Sequence, residues 1–337
     1  ARASEKERES VLFLSFSDAL QSGGKRSVFG NAYAARPQRM RLRKRSSVKT
    51  ERKVETLGFI NVDKPSGVTS SAIVNKIKRL TGLPCGHMGT LDPLASGVLP
   101  VGIGNAARLF DYFLAKEKEY IAEFTFGVTS DTLDSTGELF ECGRVPEAEE
   151  IRAVLPDFCG DVLQVPPKYS AKNVNGRRGY ELARAGVEFE LAPKRVRIDE
   201  VTLLGAAEGR EGAFCFKIRC GGGTYIRSLA RDVAEKIGTA AVMSGLKRTQ
   251  SGYFKIEDAV PPDWLTEENA ESFIIPTERV LPFEKIVLHG AGGEKIFNGV
   301  PAATDYPEGQ YKIYREGVFY GIAEVKNGLA RVRTKLC

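Results

Sequence analysis

Gly86-His87-Met88-Gly89-Thr90-Leu91-Asp92-Pro93-Leu94-Ala95-Ser96-Gly97-Val98-Leu99-Pro100 concentrates three glycines, two prolines, one histidine and one aspartate in fifteen residues. Pro93 keeps the residue before it, Asp92, in extended backbone, and the glycines let a ligand approach the main chain closely. A carboxylate placed rigidly on such a loop suits a nucleophile or a base. An isolated Asp-Pro step serves more often as an Asx turn or a cap, so the meaning of this loop depends on what surrounds it.

Upstream, the apolar run Leu57 to Val62 closes in the turn Asp63-Lys64-Pro65-Ser66-Gly67. Thr69 or Ser70 then offers an N-cap for a helix whose apolar positions are Ile73, Val74, Ile77 and Leu80, with Lys76, Lys78 and Arg79 on its other face. Downstream, Tyr120, Ala122, Phe124 and Phe126 alternate with Ile121, Glu123 and Thr125, which predicts a half-buried strand. Similar alternation predicts strands near Arg195 to Leu204 and Phe214 to Cys220. A second helix follows Gly221-Gly222-Gly223, with Ile226, Leu229, Ala230, Val233 and Ile237 on one side and Gly238 as its stop. Strands and helices interleave without βαβ regularity, so the expected class is mixed α/β (α+β) around a mixed, mainly antiparallel sheet. Asp258 to Thr277 turns acidic and proline-containing and reads as a connection. Beyond Val280, short alternating runs are broken by Arg315-Glu316-Gly317 and Lys326-Asn327-Gly328, both hairpin signals, and predict a small all-β module.

The 337 residues are 42% apolar and 27% charged, an ordinary globular balance, and no run approaches the roughly 18 apolar residues that a membrane helix needs. The net charge is +6, but residues 1–53 hold 14 Lys+Arg against 5 Asp+Glu, leaving 35 against 38 in the remaining 284. The body is therefore net −3, and any nucleic-acid contact has to rest on local patches such as Lys76, Lys78, Arg79 and Arg177, Arg178. Nine of the eighteen residues from Arg36 to Lys53 are Lys or Arg, a segment expected to repel itself and stay unfolded. It fits an RNA-touching arm, the remnant of an Arg-rich organellar transit peptide, or non-native sequence; Glu5, Glu7 and Glu9 argue against a simple transit peptide.

Six cysteines without a Cys-x-x-Cys pair, and two histidines, His87 and His289, supply no zinc set and suit a reducing compartment. Gly102-Ile103-Gly104-Asn105-Ala106-Ala107 fits a dinucleotide fingerprint but lacks the long βαβ unit and the acid after it. Gly221-Gly222-Gly223-Thr224 lacks the Gly-Lys-Ser/Thr ending of a P-loop and reads as a tight strand-to-helix turn.

With its neighbours, the Asp92 loop closely resembles the TruB family of tRNA pseudouridine synthases over about residues 57 to 255. The shared motifs run in order: Val62-Asp63-Lys64-Pro65-Ser66-Gly67, then Gly86 to Pro100 with Gly104 and Arg108. Lys118-Glu119-Tyr120 leads on to Gly127 and Asp131-Thr132-Leu133-Asp134-Ser135-Thr136-Gly137, followed by Val165-Pro166-Pro167-Lys168-Tyr169-Ser170-Ala171. Gly223-Thr224-Tyr225-Ile226-Arg227-Ser228-Leu229 and Leu246-Lys247-Arg248-Thr249 complete the set. The tail from Val280, with Glu294 to Pro301, resembles the small PUA-type β module that accompanies many family members.

The resemblance implies a pseudouridine synthase fold, divided into a basic extension (1–53), a catalytic domain (54–275) and a PUA-like RNA-binding domain (276–337). It implies isomerisation of uridine 55 in the T-loop of tRNA. Asp92 matches the catalytic aspartate, Arg227 the arginine that pairs with it, and Tyr120 the tyrosine that stacks on the target base. Tyr225 and Leu246 match pocket residues, and His87 the histidine that enters the space left by the flipped nucleotide. The conversion breaks the N1–C1′ bond, turns the uracil and joins C5 to C1′, consuming no water and changing no oxidation state, so neither a cofactor nor a metal is expected. The implied partner is the T-arm stem-loop of tRNA, met by a monomer that needs no obligatory protein partner and no membrane. Its expected place is the cytoplasm, or an organelle if residues 1–53 derive from a transit peptide. The alternatives are a catalytically silent RNA-binding or tRNA-folding protein on the same scaffold, and a synthase acting on another RNA.

Overall fold

The computed structural model describes residues 58–336 apart from 171, 175 and 289. The readings of residues 1–53 and of His289 lie outside the described residues.

The apolar runs on either side of the Asp92 loop become neighbouring strands of one large sheet. In chain order its main elements are β1 (Gly58–Lys64), α1 (Ser70–Thr81), β2 (Cys85–His87), β3 (Ser96–Ile103), β4 (Lys118–Phe126), β5 (Gly160–Gln164), β6 (Lys194–Ala206), β7 (Ala213–Cys220), α2 (Ile226–Ile237), β8 (Ala241–Ser251) and β9 (Ile275–Pro276). The strands follow the order β9-β1-β3-β8-β4-β7-β6-β5, with β2 hydrogen-bonded to β3. Along that path every neighbouring pair is antiparallel except β3–β8, which is parallel and sets Ser96 beside Lys247 and Gly97 beside Arg248. This one parallel pairing places the start of β3, just after Asp92, against the middle of β8, which carries Leu246 and Arg248.

Both predicted helices form. Thr69 is the N-cap of α1, accepting from the Ala72 N–H at 3.1 Å, and Gly82 ends it in the left-handed region. Gly238 ends α2 in the same way. Ile73 and Ile77 of α1 and Ile226, Leu229, Ala230 and Val233 of α2 join Val62, Leu99, Val101, Ala122 and Phe124 in one buried cluster. The half-buried strand expected at Tyr120–Phe126 differs in one respect: Ile121 and Glu123, on its other face, are also buried. β4 lies in the middle of the sheet, and the Glu123 carboxylate is accommodated by Arg210 and by Ser244 Oγ, each at 2.7 Å.

A second sheet holds β10 (Glu284–Ile286), β11 (Ala302–Ala303), β12 (Gly309–Arg315), β13 (Val318–Lys326) and β14 (Leu329–Lys335), in the order β10-β12-β13-β14-β11. Its two hairpins turn where the sequence signals them. Glu316-Gly317 and Asn327-Gly328 all have positive φ, as a two-residue type I′ turn requires. The module also carries a helix the sequence reading did not expect, α3 (Gly290–Phe297). Phe59, Met88, Phe113 and Phe254 share an apolar cluster with Leu281, Phe319, Ile322 and Leu336, which fastens this module to the large sheet. The division placed after residue 275 falls inside β9, which pairs with β1.

Gly97 shows how little room the parallel seam leaves. Its φ is +95°, and a Cβ there would stand 2.2 Å from the Arg248 carbonyl oxygen. Gly97→Ala is expected to lower stability by about 2–3 kcal/mol, through backbone strain plus separation of β3 from β8. A thermal melt reads the loss directly, and a native Tm would mean the seam yields without cost.

Candidate active site

Backbone carbonyls of the Asp92 loop are gripped from several directions. Ser70, the first residue of α1, donates its hydroxyl to Leu91 O at 2.8 Å and accepts from Leu91 N–H at 2.9 Å. Lys64, wholly buried at the end of β1, donates to Pro65 O and Val68 O and reaches Pro93 O at 3.4 Å. Ser66 Oγ donates to Leu94 O at 2.6 Å, and Gly67 N–H to Pro93 O at 2.8 Å. From β8, the buried Arg248 donates Nε to Val98 O at 2.8 Å and Nη2 to Gly89 O at 3.1 Å. Buried backbone acceptors need partners, and supplying them from α1, β1 and β8 holds Asp92 in place.

The Asp92 carboxylate remains 37% exposed and meets Arg227 in the first turn of α2, with Nε 3.1 Å from Oδ2. The same guanidinium places Nη1 3.4 Å from Asp134 Oδ2 and donates to Thr132 O and, through Nη2, to Tyr169 O, both at 3.0 Å. Only a planar fork of donors reaches four partners at once; a lysine would be a single point charge here. Asp134 is held in turn by the Thr132 hydroxyl and by the backbone N–H and hydroxyl of Thr136.

Burial pushes the Asp92 carboxyl up from the ordinary aspartate value; Arg227 and Lys64 pull it down, Asp134 adds to the rise, and the balance is upward. Arg227 favours the ionised carboxylate, but loss of hydration outweighs that pull, so the charge is carried at a cost. Lys64 is shifted to about 8, lowered by burial against the opposing pull of Asp92.

In front of the pair opens a cavity of about 220 Å³, walled among others by Asp92, Tyr120, Tyr225, Arg227, Leu246 and Ser170. Five residues expected from the sequence thus share one cavity. The β4–β8 register explains two of them, since Tyr120 faces Arg248 and Ala122 faces Leu246. Burial pushes the Tyr120 hydroxyl's pKa up to about 12 against the opposing charge of Arg248, so the ring stays a neutral phenol. Tyr225 precedes α2 in extended backbone, with its N–H donated to Gln164 Oε1 at 2.8 Å. The glycines before it form the tight turn expected of them. A Cβ on Gly222 would stand 1.9 Å from Leu114 O, and Gly223 has φ +86°.

The sixth expected residue, His87, is not a wall of this cavity. It stands on β2 with its ring edge-on to Phe110, which does line the cavity, at 6.4 Å between centroids. Burial and the nearby Arg248 lower its pKa, favouring the neutral imidazole. Asp134, Arg248 and Lys64 received no role from the sequence. The available signal was charge beside apolar residues: Arg248 two positions after Leu246, and Lys64 at the end of an apolar run. Among the described residues no cluster of three or more His, Cys, Asp or Glu side chains could hold a metal.

Residues 78–226 match the family model for the N-terminal domain of TruB family pseudouridylate synthases. The chain is 38% identical over 271 residues to tRNA pseudouridine synthase B of Caldanaerobacter subterraneus subsp. tengcongensis, covering 79% of this chain and 94% of that protein. It is 37% identical over 283 residues to the protein of the same name from Aquifex aeolicus, covering 81% and 96%. A chain in the crystal structure of a Cbf5-Nop10-Gar1 complex superposes with a TM-score of 0.61 at 25% identity, covering 84% of this chain and 85% of that one. Identity at this level across nearly the whole length of the bacterial proteins, with the Asp92 loop inside the matched segment, places the chain in the TruB family of pseudouridylate synthases.

Proposed function

We propose that the chain isomerises uridine 55 in the T-loop of tRNA to pseudouridine. The observation that carries this reading is the Asp92–Arg227 ion pair opening onto a cavity walled by Tyr120, in a relative of tRNA pseudouridine synthases.

A base inside a stacked loop is out of reach of Asp92, so it has to flip, at a cost of a few kcal/mol. Stacking on Tyr120 offsets about 1–3 kcal/mol of that, and the ring, kept un-ionised, does not repel the electron-rich uracil. Leu246 and Tyr225 close the sides and exclude water. Asp92, aimed by Arg227, attacks C1′ or the base C6, or steadies the charge that grows at C1′ as the N1 bond breaks. The released uracil turns within the cavity and C5 bonds to C1′; any bond Asp92 has made, to C1′ or to C6, is broken again with its electron pair returning to the carboxylate, the C5 proton leaves to solvent, and N1 gains a proton. His87, behind Phe110, would occupy the space the flipped nucleotide leaves in the loop. The C-terminal β module would serve as a PUA-like second contact to the T-arm, and the protein would act as a monomer without an obligatory protein partner.

Loss of the C5 proton supplies the test. Incubated with a tRNA transcript tritiated at uracil C5, the protein is expected to release one tritium per tRNA, and none from a transcript with cytidine at position 55. No release from the first transcript, or equal release from both, would sink the reading.

A further inference from the structure

We propose that Ser170 hydrogen-bonds the flipped nucleotide, a role that deepens the isomerase reading above and rests on it. Ser170 is a wall of the catalytic cavity and is 5% exposed, yet its hydroxyl has no hydrogen-bond partner among the described residues. A buried hydroxyl left unpaired is unfavourable and calls for an explanation. Other buried serines nearby are satisfied: Ser70 by Leu91 O, Ser228 by Val165 O at 2.8 Å, and Ser244 by Glu123. Among these four buried serines, the deficit belongs to the one on the cavity wall.

The backbone at this position is held firmly. Ser170 N–H donates to Lys168 O, and Ser170 O accepts from Tyr180 N–H, both at 3.0 Å. The carbonyl just before it, Tyr169 O, accepts from Arg227 Nη2. A single peptide therefore couples Ser170 to the guanidinium that pairs with Asp92. Serine has one side-chain torsion with three staggered wells, so a change of rotamer re-aims the hydroxyl without moving the chain.

Uracil presents an N3–H donor between two carbonyl acceptors, and a hydroxyl can answer either kind. Much of the rest of the cavity wall is apolar, including Leu246, Met243 and Ile226. A base inserted there is short of polar partners, as is the Ser170 hydroxyl, and binding relieves both.

Ser170→Ala is expected to show an unusual pairing of effects. Removing an unpaired hydroxyl should leave the Tm equal to or above that of the native chain, while kcat/KM for tRNA isomerisation falls about tenfold or more. A variant that melts below the native chain, or that turns over at the native rate, overturns the assignment. The native chain assayed alongside separates the two readings. Failure of its own reaction overturns the isomerase reading and this one with it, whereas a fully active Ser170→Ala enzyme overturns this one alone.

Discussion

Asp92→Asn is expected to abolish pseudouridine formation, with turnover down at least about 10⁴-fold, some 5 kcal/mol of barrier, and tRNA affinity close to native. The side chain keeps its size and its oxygen toward Arg227 but loses the negative charge that attack or electrostatic support requires. Binding should survive because the loop is held through carbonyls that the substitution does not touch. Stability supplies an internal control. The folded-state pKa of Asp92 is raised, so the ionised form is disfavoured by folding. The stabilisation tied to its neutral form is fully present below the ordinary aspartate value and is lost as pH rises through the higher folded value. At neutral pH the native enzyme therefore carries an ionised Asp92 at a cost, which the neutral asparagine avoids. The variant should melt no lower than the native chain. The same upward shift places the acid limb of native kcat/KM above the ordinary aspartate value, because activity needs the ionised form. Single-turnover assays, filter binding and melts together decide the matter. An active variant refutes the assigned role, and lost binding with a native melt would make Asp92 chiefly a binding residue.

How far this site could be read from the chain depended on whether a feature is local. The helix α1 was legible because its periodicity and its caps, Thr69 and Gly82, lie within a few residues of one another. The hairpins at Glu316-Gly317 and Asn327-Gly328 were legible because a residue type that tolerates positive φ marks the turn itself. By contrast, β3 and β8 show no clean alternation, being buried along most of their length, and nothing local says which strand each meets or in what direction, so the parallel seam that brings Arg248 to the Asp92 loop was invisible. α3 escaped because Gly290-Ala291-Gly292-Gly293 has poor intrinsic helix propensity. The burial of Glu123 and Asp134 was not legible because burial of an acid is decided by partners far away in the chain, Arg210 for one and Arg227 for the other. The Asp92–Arg227 pairing came from family motifs alone, since no local pattern links two residues so distant in sequence.

Arg227→Ala is expected to be costly in both stability and rate, by a mechanism distinct from that of Asp92→Asn. The guanidinium is buried and faces two carboxylates and two backbone carbonyls. Its removal leaves Asp134 almost fully buried without its cation, Asp92 without its counter-charge, and Thr132 O and Tyr169 O without a donor. Breaking a buried ion pair by deleting one partner typically costs about 3–5 kcal/mol. Turnover should fall by at least about 10²-fold, because an unaimed carboxylate no longer holds a near-attack geometry. Arg227→Lys restores a positive charge but not the planar fork, so it should recover part of the stability and little of the rate. The dependence on pH follows from sign. Without Arg227 the strongest downward pull on Asp92 is gone, so its folded pKa rises further above the unfolded value. The penalty then grows as pH rises toward neutrality and shrinks as pH falls toward the ordinary aspartate range. The gap in Tm between Arg227→Ala and the native chain should therefore narrow on mild acidification, and Asp134→Asn added to Arg227→Ala should narrow it at neutral pH. A gap that stays constant with pH and ignores the second substitution would mean that Arg227 supports the site by packing rather than by charge.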